Sequence, residues 1–122
     1  MLLLRPLDPV FPIERQLGVD ASPVVLLNLF TLGMADEQAF LKAWRPDAEF
    51  MKRQPGFIST QLHRAIGENP TYLNYAVWES TPAFRAAFGQ PEFRATLSAY
   101  PSSAVAAPHL FQKVAVAGVC VA

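Results

Sequence analysis

Two runs along the chain are apolar at almost every position, VVLLNLFTL at 24–32 and TYLNYAVW at 71–78. Both are short and rich in β-branched and aromatic residues, which predicts buried strands. Alternation places Val24, Leu26, Asn28, Phe30 and Leu32 on one face of the first strand, and Val25, Leu27, Leu29 and Thr31 on the other. The second strand carries Tyr72, Asn74, Ala76 and Trp78 against Leu73, Tyr75 and Val77. Between them, in ADEQAFLKAWRPDAEFMKRQPG, the period changes. Phe40, Ala43, Trp44, Ala48 and Met51 recur at helical spacing and predict a core-facing stripe. Asp36 and Glu37 suit the start of this helix, Lys52 and Arg53 its end, and Pro55-Gly56 closes it. Pro46 removes one helical hydrogen bond and predicts a kink near Lys42.

The segment FISTQLHRAI at 57–66 reads as a strand, with Ile58, Thr60 and Leu62 alternating against Phe57, Ser59, Gln61 and His63. GENP is turn chemistry, so this strand and the one at 71–78 form a hairpin. Ser80 or Thr81 caps a helix with Pro82 in its first turn, and Gly89 ends it. A second short helix runs from Pro91 and is stopped by Pro101; Phe84, Phe88, Phe93 and Leu97 form the apolar face of the pair. SSAVAAP reads as a loop and HLFQKVAVAG, 109–118, as the last strand. Residues 1–22 contain Pro6, Pro9 and Pro12 and predict an extended arm lying on the domain or on a partner subunit, with IERQLG as a short helical turn. The domain proper is then 23–122.

The order β-α-β-β-α(α)-β is the split-βαβ, ferredoxin-like pattern of an α+β protein, with a four-stranded antiparallel sheet whose first and third strands are central neighbours. In a monomeric sheet of this kind one face is wet and its strands alternate cleanly. Here both central strands are apolar on both faces. A second copy covering the bare face resolves this, so the pattern predicts a homodimer whose sheets pack together.

Composition sharpens that expectation. The 122 residues suit one domain. They are 52% apolar and only 16% charged, where charged residues usually make up about a quarter. Such a surface-poor composition fits an oligomer. Ten basic residues balance ten acidic ones, leaving no basic excess for a nucleic-acid backbone or an anionic membrane. The lone Cys120 allows no internal disulfide and argues against a Cys-based metal site. The start, MLLLRPLDPVFP, has too short an apolar run for a signal peptide, and no segment reaches the roughly 18 apolar residues of a membrane span. A cytoplasmic protein is expected.

Nucleotide-binding glycine loops, zinc-protease helices and serine-hydrolase elbows are all missing, and two histidines with one cysteine make no metal signature. What remains is a pair of asparagines on the central strands, Asn28 and Asn74, with Trp78. Four residues of strand span roughly 13 Å, so Asn74 and Trp78 mark the ends of a strip about as long as a fused-ring aromatic molecule. A buried amide costs on the order of 1–3 kcal/mol unless its hydrogen bonds are met. The two amides therefore need protein partners, in which case they are structural and Trp78 is plain core, or a ligand. Tyr72 shares the Asn74 face and is a candidate proton relay, against the simpler role of an edge aromatic. His63 and His109 sit near strand or loop ends as ordinary surface or hydrogen-bonded residues, and Asp47, in the proline-kinked part of the helix, faces either a pocket or water, with water the expected side.

Taken together, LLNLFTL, PGFISTQLHRA, NYAVWES, the phenylalanines of the 80s and 90s, and PHLFQKVAV resemble the antibiotic biosynthesis monooxygenase (ABM) domain over about residues 23–117. The resemblance implies a dimeric α+β barrel of ferredoxin-like subunits, each with a pocket between sheet and helices. Members of one branch oxidise polycyclic phenols to quinones with dioxygen and neither metal nor flavin; they carry N-x-x-x-W on the third strand, matched by Asn74 and Trp78. Asn74, Trp78 and Tyr72 become the implied catalytic residues, and Asn28, Phe30, Trp44, Phe84 and Phe88 the implied substrate-binding residues. The tyrosine that accompanies the tryptophan in that branch falls here at Phe84, which leaves Tyr72 for proton transfer. A haem-degrading branch uses an asparagine and a tryptophan matched by Asn28 and Trp78, but its haem-ligating histidine falls near Leu97. The leading expectation is a cofactor-independent monooxygenase acting on an aromatic phenol or quinol. The alternative is a non-catalytic dimeric module that binds a small hydrophobic ligand.

Overall fold

The computed structural model describes residues 1–122. In chain order the elements are β1 (Leu3–Leu4), α1 (Ile13–Gln16), β2 (Val24–Thr31), α2 (Glu37–Lys52), β3 (Phe57–Arg64), β4 (Thr71–Trp78), α3 (Thr81–Phe88), α4 (Pro91–Thr96) and β5 (Val105–Phe111). They make a ferredoxin-like α+β fold. The two apolar runs are its central pair: β2 and β4 run antiparallel over their full lengths, Val24 opposite Trp78 and Thr31 opposite Thr71. The sheet order is β1-β5-β2-β4-β3, so there are five strands rather than four, the extra one being the two-residue β1, parallel to β5.

Local chemistry accounts for the helix boundaries. The Ser80 hydroxyl accepts the Ala83 amide at 3.2 Å and Pro82 occupies the first turn, so α3 starts where the strand stops. The α2 helix continues through Pro46 as one element. Gly56 turns the chain from α2 into β3 at φ +88°, and a Cβ there would lie 2.4 Å from that of Ala83, so the position requires glycine twice over.

One face of the sheet is covered by α2, α3 and α4. The core falls into two clusters. One gathers Phe30, Phe40, Phe50, Tyr72, Phe93 and Tyr100; the other gathers Val24, Leu26, Ala76, Trp78, Phe84 and Leu110. Met51 and Phe88 pack against both. The opposite face is open: Leu29, Tyr75 and Phe111 are each more than one-third exposed and Ile58 about half. No helix is long and apolar enough to cross a membrane.

The last strand lies four residues upstream of its expected place, and part of the expected loop belongs to it. Pro108 in mid-strand is the reason it is hard to read. The carbonyls of Ala104 and Ala106 accept Leu3 and Arg5 amides from the arm, and Leu110 is bonded on the same outer side through Gln16. Even-numbered residues of β5 therefore point their backbone groups away from β2. The missing amide of Pro108 falls in the gap between β1 and Gln16, where no ladder bond is lost. The strand ends at Phe111 because its partner residue Val25 is almost the first of β2, leaving residues 112–122 nothing to pair with. These form an exposed tail with one Val116–Cys120 bridge.

The N-terminal arm lies on its own domain. Gln16 acts as a one-residue strand: its Oε1 accepts the Leu110 amide at 2.8 Å and its Nε2 donates to the Leu110 carbonyl at 3.0 Å. Gln16→Ala is expected to lower the unfolding free energy by about 1–2 kcal/mol through loss of these two bonds, measured by urea denaturation.

Candidate active site

Between the covered sheet face and the helices lies a cavity of about 640 Å³, counting its opening to solvent. Its position follows from side-chain size across the sheet. In one row Pro108, Asn28, Asn74 and Leu62 stand side by side; in the next, Leu110, Leu26, Ala76 and Thr60. Pro108, the two amides, Ala76 and Thr60 are small or flat and leave a hollow, flanked along β2 and β4 by Phe30 and Tyr72 on one side and by Trp78 on the other. A bulge at Ile58 shifts the phase of β3, so Phe57 joins Thr60 in the cavity wall while Ile58 turns to the exposed side. Strict alternation had put Phe57 and Thr60 on opposite faces.

Fourteen of the nineteen lining residues are hydrophobic. Asn28, Phe30, Trp44, Asn74, Trp78, Phe84 and Phe88 all line the cavity. Trp78 is wedged edge-on between Phe57 and Phe84, with ring centroids 5.4 and 5.5 Å away, and no protein group accepts its indole N–H. Asn28 and Asn74 are direct cross-strand partners. The Thr60 hydroxyl donates to Asn74 Oδ1 at 2.5 Å, which fixes the carboxamide and leaves its Nδ2 donors without a protein acceptor. Asn28 Oδ1 is buried with no hydrogen-bond partner. An orphaned buried amide oxygen beside free amide donors is an expensive arrangement unless something in the cavity completes it.

Tyr72 is not among the lining residues. Its hydroxyl donates to Glu37, whose carboxylate is also held by Arg64, Nε to Oε2 at 2.5 Å. Arg64, and then Tyr72, keep the Glu37 carboxyl below its ordinary range; burial, and then Glu37, push the Tyr72 phenol above its own. Tyr72 is thus tied to an ion pair rather than aimed at the asparagines. Neither histidine lines the cavity: His63 is exposed on β3, and His109 Nε2 lies 3.1 Å from the Gln16 amide nitrogen. Leu97, where a haem-ligating histidine would fall, does line it.

Asp47 corrects the sequence reading in the other direction. It is only partly exposed and lines the cavity, the one ionisable side chain to do so. Its Oδ2 accepts the Tyr100 hydroxyl at 2.5 Å. Desolvation raises its pKa from 3.8 to about 6, against the opposing effect of the Tyr100 hydrogen bond. Tyr100 is pushed above its ordinary value by burial and by the facing carboxylate. The signal was present in the spacing: Trp44, Asp47, Ala48 and Met51 share one helix face. Leu2 and Leu4 of the arm also line the cavity, a contribution from far along the chain that no local pattern announces.

Comparison with known proteins agrees with the fold. The antibiotic biosynthesis monooxygenase family model matches residues 23–99. Deoxynogalonate monooxygenase of Streptomyces nogalater is 40% identical over 76 residues, a match covering 62% of this chain and 64% of that protein, a little under two-thirds of its length. The structure of SnoaB, a cofactor-independent oxygenase from Streptomyces nogalater, superposes with a TM-score of 0.72 at 31% identity, over 80% of this chain and 99% of that one. Rv0793 from Mycobacterium tuberculosis shares the fold, with a TM-score of 0.64 at 16% identity over 80% of this chain and all of that one.

The raised Asp47 pKa carries a sign. The folded state holds this proton more tightly than the unfolded state, so stability is lost as pH rises from 3.8 through about 6. Asp47→Asn keeps an acceptor for Tyr100 and removes the buried charge. It is expected to raise the unfolding free energy by about 1–3 kcal/mol at neutral pH and to leave it nearly unchanged near pH 4, measured by denaturant unfolding at both values.

Proposed function

The chain belongs to the antibiotic biosynthesis monooxygenase family, and on that premise we propose that it is a cofactor-independent monooxygenase that oxidises a polycyclic phenol or quinol with dioxygen in the sheet–helix cavity. The observation that carries this reading is the unsatisfied amide pair, Asn28 and Asn74, side by side on an otherwise apolar floor with Trp78 at its end. A flat aromatic substrate fits the apolar walls, and its oxygen substituents complete the amides. Once the substrate is ionised, its electrons reduce dioxygen directly. Asn74 Nδ2 and the Trp78 indole N–H then stabilise the anion or peroxide that forms, as preorganised donors in a site sheltered from water. Asn28 orients the substrate; Phe30, Trp44, Phe84 and Phe88 hold its rings. The name of the Streptomyces nogalater relative SnoaB as a cofactor-independent oxygenase supports the reaction class. Haem degradation has no support from the cavity, whose walls carry no histidine.

The competing reading, a non-catalytic module that binds a small hydrophobic ligand, predicts binding without oxygen consumption. Oxygen uptake with a panel of anthrone-like phenols separates the two. Asn74→Ala and Trp78→Ala are each expected to lower kcat/KM about 100-fold, and uptake indifferent to both would remove these residues from the site.

The open sheet face supports a homodimer, with Leu29, Tyr75 and Phe111 of one copy covered by those of the other. Sedimentation velocity at micromolar concentration is expected to give the mass of two chains. Tyr75→Asp, which plants a charge on that face, is expected to shift the protein to monomer.

A further inference from the structure

The reaction proposed above needs a group to take the substrate proton, and Tyr72 is tied to Glu37 and outside the cavity wall. We propose that Asp47, positioned by Tyr100, is the catalytic base of the cavity. This rests on the monooxygenase reading.

Three observations carry it. Asp47 lines from α2 the same cavity that Asn28 and Asn74 line from the sheet, so a substrate bound there is within one enclosure with the carboxylate and the amides. The Tyr100 hydroxyl occupies Oδ2 at 2.5 Å, while Oδ1 has no protein donor and remains free for the substrate. The carboxylate has no salt-bridge partner that would lock it in the ionised state. Of the elements around it, β2, β4, α3 and α4 present only apolar or amide side chains to the cavity, and the 97–100 turn presents Tyr100. The arm brings Leu2 and Leu4, with the Met1 ammonium bound to the Tyr100 carbonyl at 3.1 Å. On its own helix, the neighbouring charges Arg45 and Glu49 are exposed and paired with each other at 3.8 Å. Desolvation brings the carboxyl to about 6, suited to exchanging a proton near neutrality.

For a substrate with a methylene at the reacting carbon, the steps balance. Asp47 removes one proton, and the electron pair left on carbon reduces dioxygen, forming a C–O bond and a peroxide anion. The proton on Asp47 passes to the terminal peroxide oxygen. Asp47 then removes the second proton from the same carbon as the O–O bond breaks. The carbonyl forms, and the departing hydroxide takes that proton and leaves as water. One oxygen atom enters the product and the other enters water; the methylene is oxidised by four electrons and dioxygen is reduced by the same four.

The test is the pH profile of oxygen uptake with an anthrone, for wild type, Asp47→Asn and Tyr100→Phe, with Asn74→Ala alongside. Wild-type kcat/KM is expected to rise through an acid limb near about 6. Asp47→Asn is expected to lose about 100-fold or more in kcat/KM together with that limb. It should still bind a hydroxyanthraquinone within about threefold of wild type, read by quenching of tryptophan fluorescence. Tyr100→Phe keeps the base but removes a hydrogen bond that favours its ionised form, so the limb moves to higher pH. Asp47→Asn activity within about threefold of wild type, or an unmoved acid limb, overturns the assignment. If Asn74→Ala loses uptake in the same assay, the monooxygenase reading survives that failure. Parallel loss of dye binding in Asp47→Asn makes Asp47 a binding group and also overturns it. Absence of uptake by wild type with every phenol overturns both readings.

Discussion

Asn28 and Asn74 meet across the β2–β4 ladder, and much of the architecture follows from keeping that meeting in register. Because side chains alternate with a period of two, a slip of one residue would send the amide of the slipped strand to the open face and bring Leu27 and Leu29, or Leu73 and Tyr75, under the helices. The aromatic residues at either end oppose such a slip. Phe30 packs edge-on against Phe40 at 5.0 Å, and Trp78 against Phe57 and Phe84. The two core clusters thus act as clamps on one central ladder, and the hollow between them is a consequence of what the ladder carries in its middle.

That hollow is costly to the fold. It leaves one amide oxygen orphaned, holds a carboxyl group above its ordinary pKa, and replaces core packing with space. Each of these opposes stability, and all three lie within one cavity. Elsewhere polar groups are largely met, His109 Nδ1 being the exception: Tyr72 with Glu37 and Arg64, Ser80 at its helix, Gln16 on the β5 edge. Several such costs gathered in one cavity are a mark of a ligand site.

The central strands, the α2 helix, the β3–β4 hairpin and the capped α3 helix were legible because each rests on a strong local signal: continuous apolar runs, helical spacing, turn residues, a serine before proline. The cavity-lining asparagines and aromatics were legible for the same reason, since face assignment on a strand is arithmetic. What escaped was whatever depended on a partner distant in sequence. Pro108 argued against a strand until its neighbours on the sheet edge were known. The bulge at Ile58 breaks alternation by one residue with no glycine or proline to mark it. Tyr72 shares a face with Asn74, yet Glu37 and Arg64 claim its hydroxyl, and strand alternation says nothing of either. Asp47 shares a face with Trp44 and Met51 but looked like a solvated charge, because its partner Tyr100 lies 53 residues away.

The family-matched segment ends at residue 99, one short of Tyr100. Pro108 of the cavity wall, and Leu2 and Leu4 from the arm, also lie outside it. The matched core supplies the amides, the tryptophan and Asp47, the part of the site that would touch the reacting end of a substrate. The flanks supply the hydroxyl that orients Asp47 and part of the apolar wall. The Leu2 amide is bonded to the Leu97 carbonyl and the Met1 ammonium to that of Tyr100, so the arm is fastened to the turn that presents the hydroxyl. Wall and orienting hydroxyl therefore form one mechanical unit. Leu2 and Leu4 are thus held against the cavity by the same turn that carries the hydroxyl bonded to Asp47.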